Sequence, residues 1–356
     1  MFNFRDKELA NRLIKKLKSN RKRLKFMHVC GTHHDTIYRF GLNKIFEECN
    51  IDVVEGPGCP VCVTTPKEIE EAVALSLNGK ILTTYGDMTK VPGMKDSLST
   101  AKAKGGDIRP VYSIEDAIEI ARRKKDKDVV FMAVGFETTV PSTAVTLLMD
   151  LPSNFYILSC HRCIPPAVKA ILDMGEAKID GFIEPGHVST IIGVEPYIEI
   201  SERYKIPQVI AGFEPLDVLA GVLMLVEQIE RREYKVENEY ERAVKFEGNV
   251  RAKNIMQEVF DVIDIRWRGF PVIEESGLEL KKEFEDRNAR KVFEDILSKI
   301  EEGEESKECR CSEILRGIAK PRDCKLFGKV CTPSHPVGPC MVSKEGSCYI
   351  EFRYSR

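Results

Sequence analysis

No apolar run in these 356 residues approaches the ~20 residues of a bilayer-spanning helix. The first 26 residues are basic throughout and hold no apolar core of a secretory leader, so the expectation is a cytoplasmic chain. No Walker A loop occurs, which removes the usual sequence basis for strong nucleotide binding. No Cys-x-x-x-Cys-x-x-Cys occurs, so no radical-SAM signature is present. His-x-Glu is also absent, and Gly58 rather than a proline precedes Cys59, which argues against a zinc deaminase. A surplus of charge is missing too: 54 Lys and Arg against 56 Asp and Glu leave a formal charge of -2. That balance argues against a nucleic-acid coat or a polybasic membrane binder. A hydrophobic content of 43% with 31% charged residues excludes a disordered or collagenous chain.

What the chain has in excess is cysteine, at 12 residues. A chain this long can bury a stable core without disulfide bracing, so the thiols point to metal or redox chemistry. They fall in three groups. Cys30, Cys49, Cys59 and Cys62 lie early, and Cys160 and Cys163 in the middle. Cys309, Cys311, Cys324, Cys331, Cys340 and Cys348 crowd the last 48 residues. The charge is also uneven. Residues 1–26 carry a local +8 and residues 309–356 a local +5, around a middle of -15. Leu9, Leu13, Ile14 and Leu17 recur at helical spacing, so the basic start reads as an amphipathic surface helix with a solvated Lys/Arg face.

Short β-branched runs alternate with helical patterns, the signature of βαβ units and parallel sheets. Strands are predicted at 25–29, 52–55, 80–84 and 108–111, then at 129–134, 155–159, 181–183 and 208–211. Helices are predicted at 66–77, 114–123 and 164–174. The two sets of strands read as copies. Residues 26–30 answer 156–160, and 51–59 answer 179–187, which pairs Cys30 with Cys160 and Cys59 with His187. The expectation is two similar parallel-sheet α/β domains facing a cleft, at 1–112 and 113–215. A helical and Cys-rich C-terminal domain would follow at 216–356. Within it an apolar helix is expected at 218–229, short strands at 259–265 and 270–273, and helical stretches at 234–249 and 274–307.

Four strand-end motifs carry candidate chemistry. In His28-Val29-Cys30-Gly31-Thr32-His33-His34 a thiol would sit at a helix N-terminus, where the dipole and free N–H groups favour thiolate. Glu55-Gly56-Pro57-Gly58-Cys59-Pro60-Val61-Cys62 offers a dithiol on a turn that its glycines bend and expose, with Thr65 and Pro66 opening the next helix. Half of a structural zinc site is the competing reading. In Gly135-Phe136-Glu137-Thr138-Thr139-Val140-Pro141-Ser142, Glu137 is a candidate proton acceptor or relay, and Thr138 and Thr139 are candidate site residues. Thr139 and Ser142 can donate at a helix start whose N–H groups could hold an anion; simple N-capping by a Thr is the competing reading. Glu184-Pro185-Gly186-His187-Val188-Ser189 places His187 toward the same cleft. Cys160-His161-Arg162-Cys163 is a second C-x-x-C with no glycine turn before it. In the tail, Cys311, Cys324, Cys331 and Cys348 suit a 4Fe-4S cluster better than zinc, because the intervals exceed zinc-knuckle spacing. Cys309 and Cys340 remain as a spare redox pair or disulfide.

These motifs resemble those of the HypD family of NiFe-hydrogenase maturation proteins. Cys-Gly-Thr-His at 30–33, Gly-Pro-Gly-Cys-Pro-Val-Cys at 56–62, Gly-Phe-Glu-Thr-Thr at 135–139, Pro-Gly-His-Val-Ser at 185–189 and the four-cysteine tail carry the resemblance. Where members often have Glu after the first motif's His, this chain has His34 followed by Asp35. The resemblance implies an iron–sulfur scaffold with redox chemistry rather than a conventional turnover enzyme. It implies a 4Fe-4S cluster on Cys311, Cys324, Cys331 and Cys348, and a transient iron carrying cyanide and carbon monoxide. Cys30 would be the iron-binding thiol with His33 beside it, and Cys59 and Cys62 the dithiol. It further implies a HypC-type chaperone, a cyanide-donating HypE, and indirect contact with the hydrogenase large subunit through HypC. Neither nucleic acid nor membrane is implied as a partner. From the residues alone, a thiol–disulfide oxidoreductase with a cluster as electron source and a zinc-stabilised binding module are the alternatives.

Overall fold

The computed structural model describes residues 6–303 and 308–354. Eleven strands form two sheets among these residues. They are β1 (Leu24–His28), β2 (Ile51–Glu55), β3 (Ile81–Tyr85), β4 (Asp107–Val111), β5 (Val129–Gly135), β6 (Phe155–Arg162), β7 (Gly181–Pro185), β8 (Gln208–Ala211), β9 (Val236–Asn238), β10 (Phe260–Arg266) and β11 (Val272–Leu280). One sheet runs β2-β1-β7-β8-β9 and is wholly parallel. The other runs β10-β11-β6-β5-β3-β4, with β10 and β11 antiparallel at one end. Helices cover both faces, so the central strands are buried throughout; all seven residues of β5 are buried.

All eight parallel strands expected from the sequence are present, but their assortment differs. The first sheet takes β1 and β2 from one predicted copy and β7 and β8 from the other. The second takes β3 to β6. The chain therefore crosses between sheets, and sheet membership does not change at residues 112 and 215. The copy alignment fails for the same reason. Cys30 follows β1 in one sheet, whereas Cys160 lies within β6 of the other and is buried there.

Local chemistry accounts for the predicted helices. Thr65 caps helix Pro66–Leu77 in a reciprocal capping box with Glu68. Asp6 accepts the N–H groups of Glu8 and Leu9 at 2.9 and 3.1 Å to start helix Lys7–Leu17. Residues 234–249 form no helix, residues 274–303 are strand followed by short helices, and residues 304–307 of the expected stretch lie outside the described residues. The first stretch holds β9. The second begins inside β11 and continues as three short helices, a 3-10 turn at Lys282–Arg287 and α-helical turns at Ala289–Val292 and Glu294–Leu297, which meet the expectation of helical stretches there. Glu274 and Glu275 face solvent on β11, so their charge reflects an exposed strand face rather than a helix.

The Cys-rich tail is not a detached lobe. Lys25 Nζ donates to the Gly317 carbonyl at 2.9 Å, and Lys320 Nζ to Asp52 Oδ1 at 2.7 Å. Helix Ser347–Tyr354 packs on helix Gly31–Arg39, where Tyr38 Oη donates to Glu351 Oε1 at 2.8 Å. Among the described residues, no helix is long and apolar enough to cross a membrane.

Candidate functional site

The C-terminal ends of β1, β2 and β7 face those of β3, β4 and β5 across a cleft of about 590 Å³. This is where open α/β sheets place their ligands. Cys30, Gly58, Thr138, Thr139 and His187 all line it, so one space gathers residues from all four strand-end motifs.

Cys30 occupies the N-cap position of helix Gly31–Arg39, and the residue as a whole is partly exposed. The dithiol turn lies directly across it. Gly56 N–H donates to the His28 carbonyl at 2.8 Å, and Gly31 N–H to the Gly58 carbonyl at 3.3 Å. A Cβ on Gly58 would overlap the backbone joining Val29 to Cys30, so only glycine permits this approach. Cys59 and Cys62 are joined as a disulfide, with Cα atoms 5.2 Å apart. Cys59 Sγ also accepts the Cys62 N–H at 3.2 Å. Contrary to the expectation of an exposed dithiol, both sulfur residues are fully buried. Pro60 and Val61 of the same turn face the cleft in their place.

The expected thiolate at Cys30 is also not what the surroundings favour. Burial pushes the thiol up to about 11, and Glu345 pushes the same way. The N–H groups of Thr32 and His33 pull downward and are outweighed. Such a thiol stays protonated until a cation arrives to stabilise the anion.

His33 does not enter the cleft. It is buried, with Nε2 3.2 and 3.0 Å from the carbonyl oxygens of Ala211 and Gly212. Its ring stacks on Phe213 at 4.8 Å, and the exposed His187 ring lies 4.0 Å from the same Phe213. His33 thus braces the wall that His187 presents. His34 turns inward to His28, with ring nitrogens 2.9 Å apart.

Thr138 and Thr139 line the cleft as expected, but Glu137 points away. Its Oε1 accepts the Ile164 N–H at 2.9 Å, which caps helix Ile164–Met174. Burial raises its carboxyl to about 7, and the N–H bonds only partly offset this. The native state therefore prefers Glu137 protonated, and its stability falls as pH rises from about 4.5 through 7. Glu137→Gln keeps the acceptor and removes the ionisation cost. Its stability relative to wild type is expected to rise between pH 5 and 8 by on the order of 3 kcal/mol, readable as a pH-dependent difference in denaturant midpoint.

Sequence reasoning missed two acids at the cleft, Asp87 and Glu345. Glu345 Cβ sits so close to Gly31 that a side chain there would collide with it, at 2.5 Å. No local pattern marks Glu345, because the contact joins residues more than 300 apart.

The tail cysteines gather around one apolar pocket lined by Cys309, Cys311, Cys324, Cys331, Cys340 and Cys348. Sequence spacing groups Cys311 with Cys324, Cys331 and Cys348 and leaves Cys309 with Cys340. The structure instead bonds Cys311 to Cys340, with Cα atoms 6.2 Å apart. The thiols left free in the pocket are Cys309, Cys324, Cys331 and Cys348. A Cβ on Gly338 would meet Cys309 Sγ at 2.5 Å, so that glycine makes room for the sulfur. Val337 N–H donates to Cys331 Sγ at 3.3 Å. Burial and the neighbouring Cys309 and Cys331 push Cys348 well up, so this thiol resists ionising without a cation beside it. Helix Pro339–Val342, which carries Cys340, packs on helix Pro60–Val63, which carries Cys62. Among the described residues, no three His, Cys, Asp or Glu side chains converge on a single-ion point.

Comparison with known proteins places the chain in a family. The model of the HypD family, described as the hydrogenase formation hypA family, matches residues 6–355. A Methanocaldococcus jannaschii protein named for hydrogenase expression and formation is 48% identical, over the full length of both chains. The hydrogenase maturation factor HypD of Cupriavidus necator is 43% identical over 99% of this chain and 96% of its own. That of Escherichia coli is 40% identical over 93% of this chain and 89% of its own.

Proposed function

The chain belongs to the HypD family of hydrogenase formation proteins, and from that footing we propose that its cleft is where the iron of a NiFe-hydrogenase acquires cyanide and carbon monoxide. The observation that carries this reading is the convergence of Cys30, Thr138, Thr139 and His187 on one cleft, with the Cys59–Cys62 turn laid against Cys30.

The iron is the cargo. A metal that is to take up cyanide and carbon monoxide wants a soft, electron-rich donor, and Cys30 is the thiol that faces the cleft. Its proton leaves as the Cys30–iron bond forms. Asp87, His187 and Glu345 are titratable groups at the cleft able to receive it.

Cyanide is proposed to come from a thiocyanate on the C-terminus of HypE, with a HypC-type chaperone sharing the iron and passing it toward the hydrogenase large subunit. The S–CN bond breaks with two electrons. Two thiols at Cys59 and Cys62 supply them by forming their disulfide. Their two protons leave one on the donor's thiol and one with the cyanide, which is released again as cyanide binds iron. Each turnover therefore requires the Cys59–Cys62 disulfide to be reduced afresh.

A 4Fe-4S cluster fits the tail pocket. Its donors are four free thiols around an apolar cavity, one of them receiving an N–H bond of the kind that tunes cluster potentials. Each thiolate of such a cluster binds its own iron, so a shared cavity matters more than a shared point. The residues that would hold it are Cys309, Cys324, Cys331 and Cys348. When bound, it supplies single electrons at the back of the dithiol turn, next to the Cys311–Cys340 bond. Protein purified anaerobically is expected to be brown and to contain about four irons and four sulfides per chain. A colourless protein with zinc and no acid-labile sulfide would leave this a zinc-stabilised binding module.

A further inference from the structure

None of Cys160-His161-Arg162-Cys163 lines the cleft, and its two cysteines are not a redox pair. Cys160 packs into the core that includes Ile69 and Leu158, whereas Cys163 packs with the core on the other face of β6. What the motif does place is Arg162, the last residue of β6 and fully buried.

We propose that Arg162 is a positioning residue for the Cys59–Cys62 pair, holding the turn in the geometry that favours the disulfide and so setting how readily it is reduced. This rests on the reading of Cys59–Cys62 as a working dithiol.

Arg162 Nη2 donates to Glu68 Oε2 at 2.6 Å. The same oxygen accepts the backbone N–H and the hydroxyl of Thr65, each at 2.8 Å. Thr65 is the third residue after Cys62, and Thr64 between them bonds back to the Pro60 carbonyl at 2.9 Å. Arg268 N–H fixes the Val63 carbonyl at 2.8 Å. The exit of the dithiol turn is thus tied on one side to Arg268 and on the other, through Glu68, to Arg162. Arg162 is fixed in its turn. Nη1 donates to the Cys160 carbonyl at 2.9 Å and Nη2 to the Arg266 carbonyl at 3.2 Å. Its guanidinium lies 5.8 Å from the Trp267 ring centroid. Trp267 stacks on Phe136, which lines the cleft. One cation therefore joins the dithiol turn to the cleft wall.

A buried ion pair is poor value for stability alone, since well-packed apolar residues in its place are often neutral or stabilising. Its merit here is directional. Two sulfurs held in register form a disulfide more readily than two on a loose turn, because less chain entropy remains to be lost. Loosening the clamp should favour the dithiol. The fold itself should survive, because Glu68 Oε1 retains Arg290 at 3.9 Å.

The test equilibrates the full-length protein with reduced and oxidised glutathione at pH 7 and counts Cys59 and Cys62 by thiol trapping and mass spectrometry. Two glutathione thiols supply two electrons and two protons, the Cys59–Cys62 bond opens, and glutathione disulfide forms. In Arg162→Gln the equilibrium is expected to move about tenfold toward the dithiol, equivalent to about 30 mV. Arg162→Lys, which keeps a cation against Glu68, should recover part of the shift. Glu68→Gln releases the same clamp from its other end and should move the equilibrium the same way, whether or not Arg162→Gln folds. Fluorescence of the single Trp267 reports the fold. If both Arg162→Gln and Glu68→Gln lose thermal stability but keep the wild-type equilibrium, Arg162 is merely structural and the proposal fails. A wild-type pair that never oxidises reversibly would fail differently, by removing the dithiol reading on which it stands.

Discussion

Cys309→Ala is expected to strip iron and acid-labile sulfide from the tail by about tenfold or more, whereas Cys311→Ala leaves both in place. The two residues are two apart and both line the same pocket. What separates them is their partner. Cys311 is bonded to Cys340, and Cys309 is one of four free thiols there. Replacing a thiolate ligand removes a metal bond that no neighbour can supply while Cys311 remains paired. Replacing Cys311 removes the disulfide whose Cys340 helix packs on the helix carrying Cys62, and spares the four free thiols. The expected phenotype of Cys311→Ala is thus a brown protein that fails in maturation. Loss of the cluster in Cys311→Ala with retention in Cys309→Ala would restore the ligand set expected from spacing alone.

Cys30→Ala is expected to lower hydrogenase maturation by on the order of a hundredfold or more, with the tail cluster intact. Nothing else in the cleft offers a soft donor, since Cys59 and Cys62 are buried in their own bond behind Pro60. Thr138 and His187 are harder ligands and cannot substitute. Gly58→Ala should produce a comparable loss while leaving every thiol in place, because its Cβ would displace the turn from the Val29–Cys30 backbone. The pair of variants separates the need for the Cys30 sulfur from the need for its contact with the dithiol turn.

Much of this was legible in the sequence, for a definite reason. Strands buried on both faces are short, largely apolar runs, so β1 to β8 could be read directly. Which sheet each joined could not. Parallel pairing is non-local, and β1 reads no differently beside β7 than it would beside β3. The cleft's motifs were legible because each couples a strand end to a glycine turn. The directions of their side chains were not. Glu137 and His33 sit beside residues that face the cleft, yet one caps helix Ile164–Met174 and the other bonds the carbonyls of Ala211 and Gly212. At Cys30 the N–H groups of the helix start do lower the thiol, and burial outweighs them. Spacing could not separate Cys309 from Cys311, and Glu345 reaches Gly31 only through the packing of the tail.

The most direct test is the infrared spectrum of the anaerobically purified complex of this chain with its HypC-type partner, recorded for wild type and Cys30→Ala with the tail iron assayed in parallel. The expected result is cyanide and carbon monoxide stretching bands in the wild type, and their absence in Cys30→Ala at unchanged cluster content. Bands that persist in Cys30→Ala at wild-type intensity would contradict the assignment of the iron to this thiol.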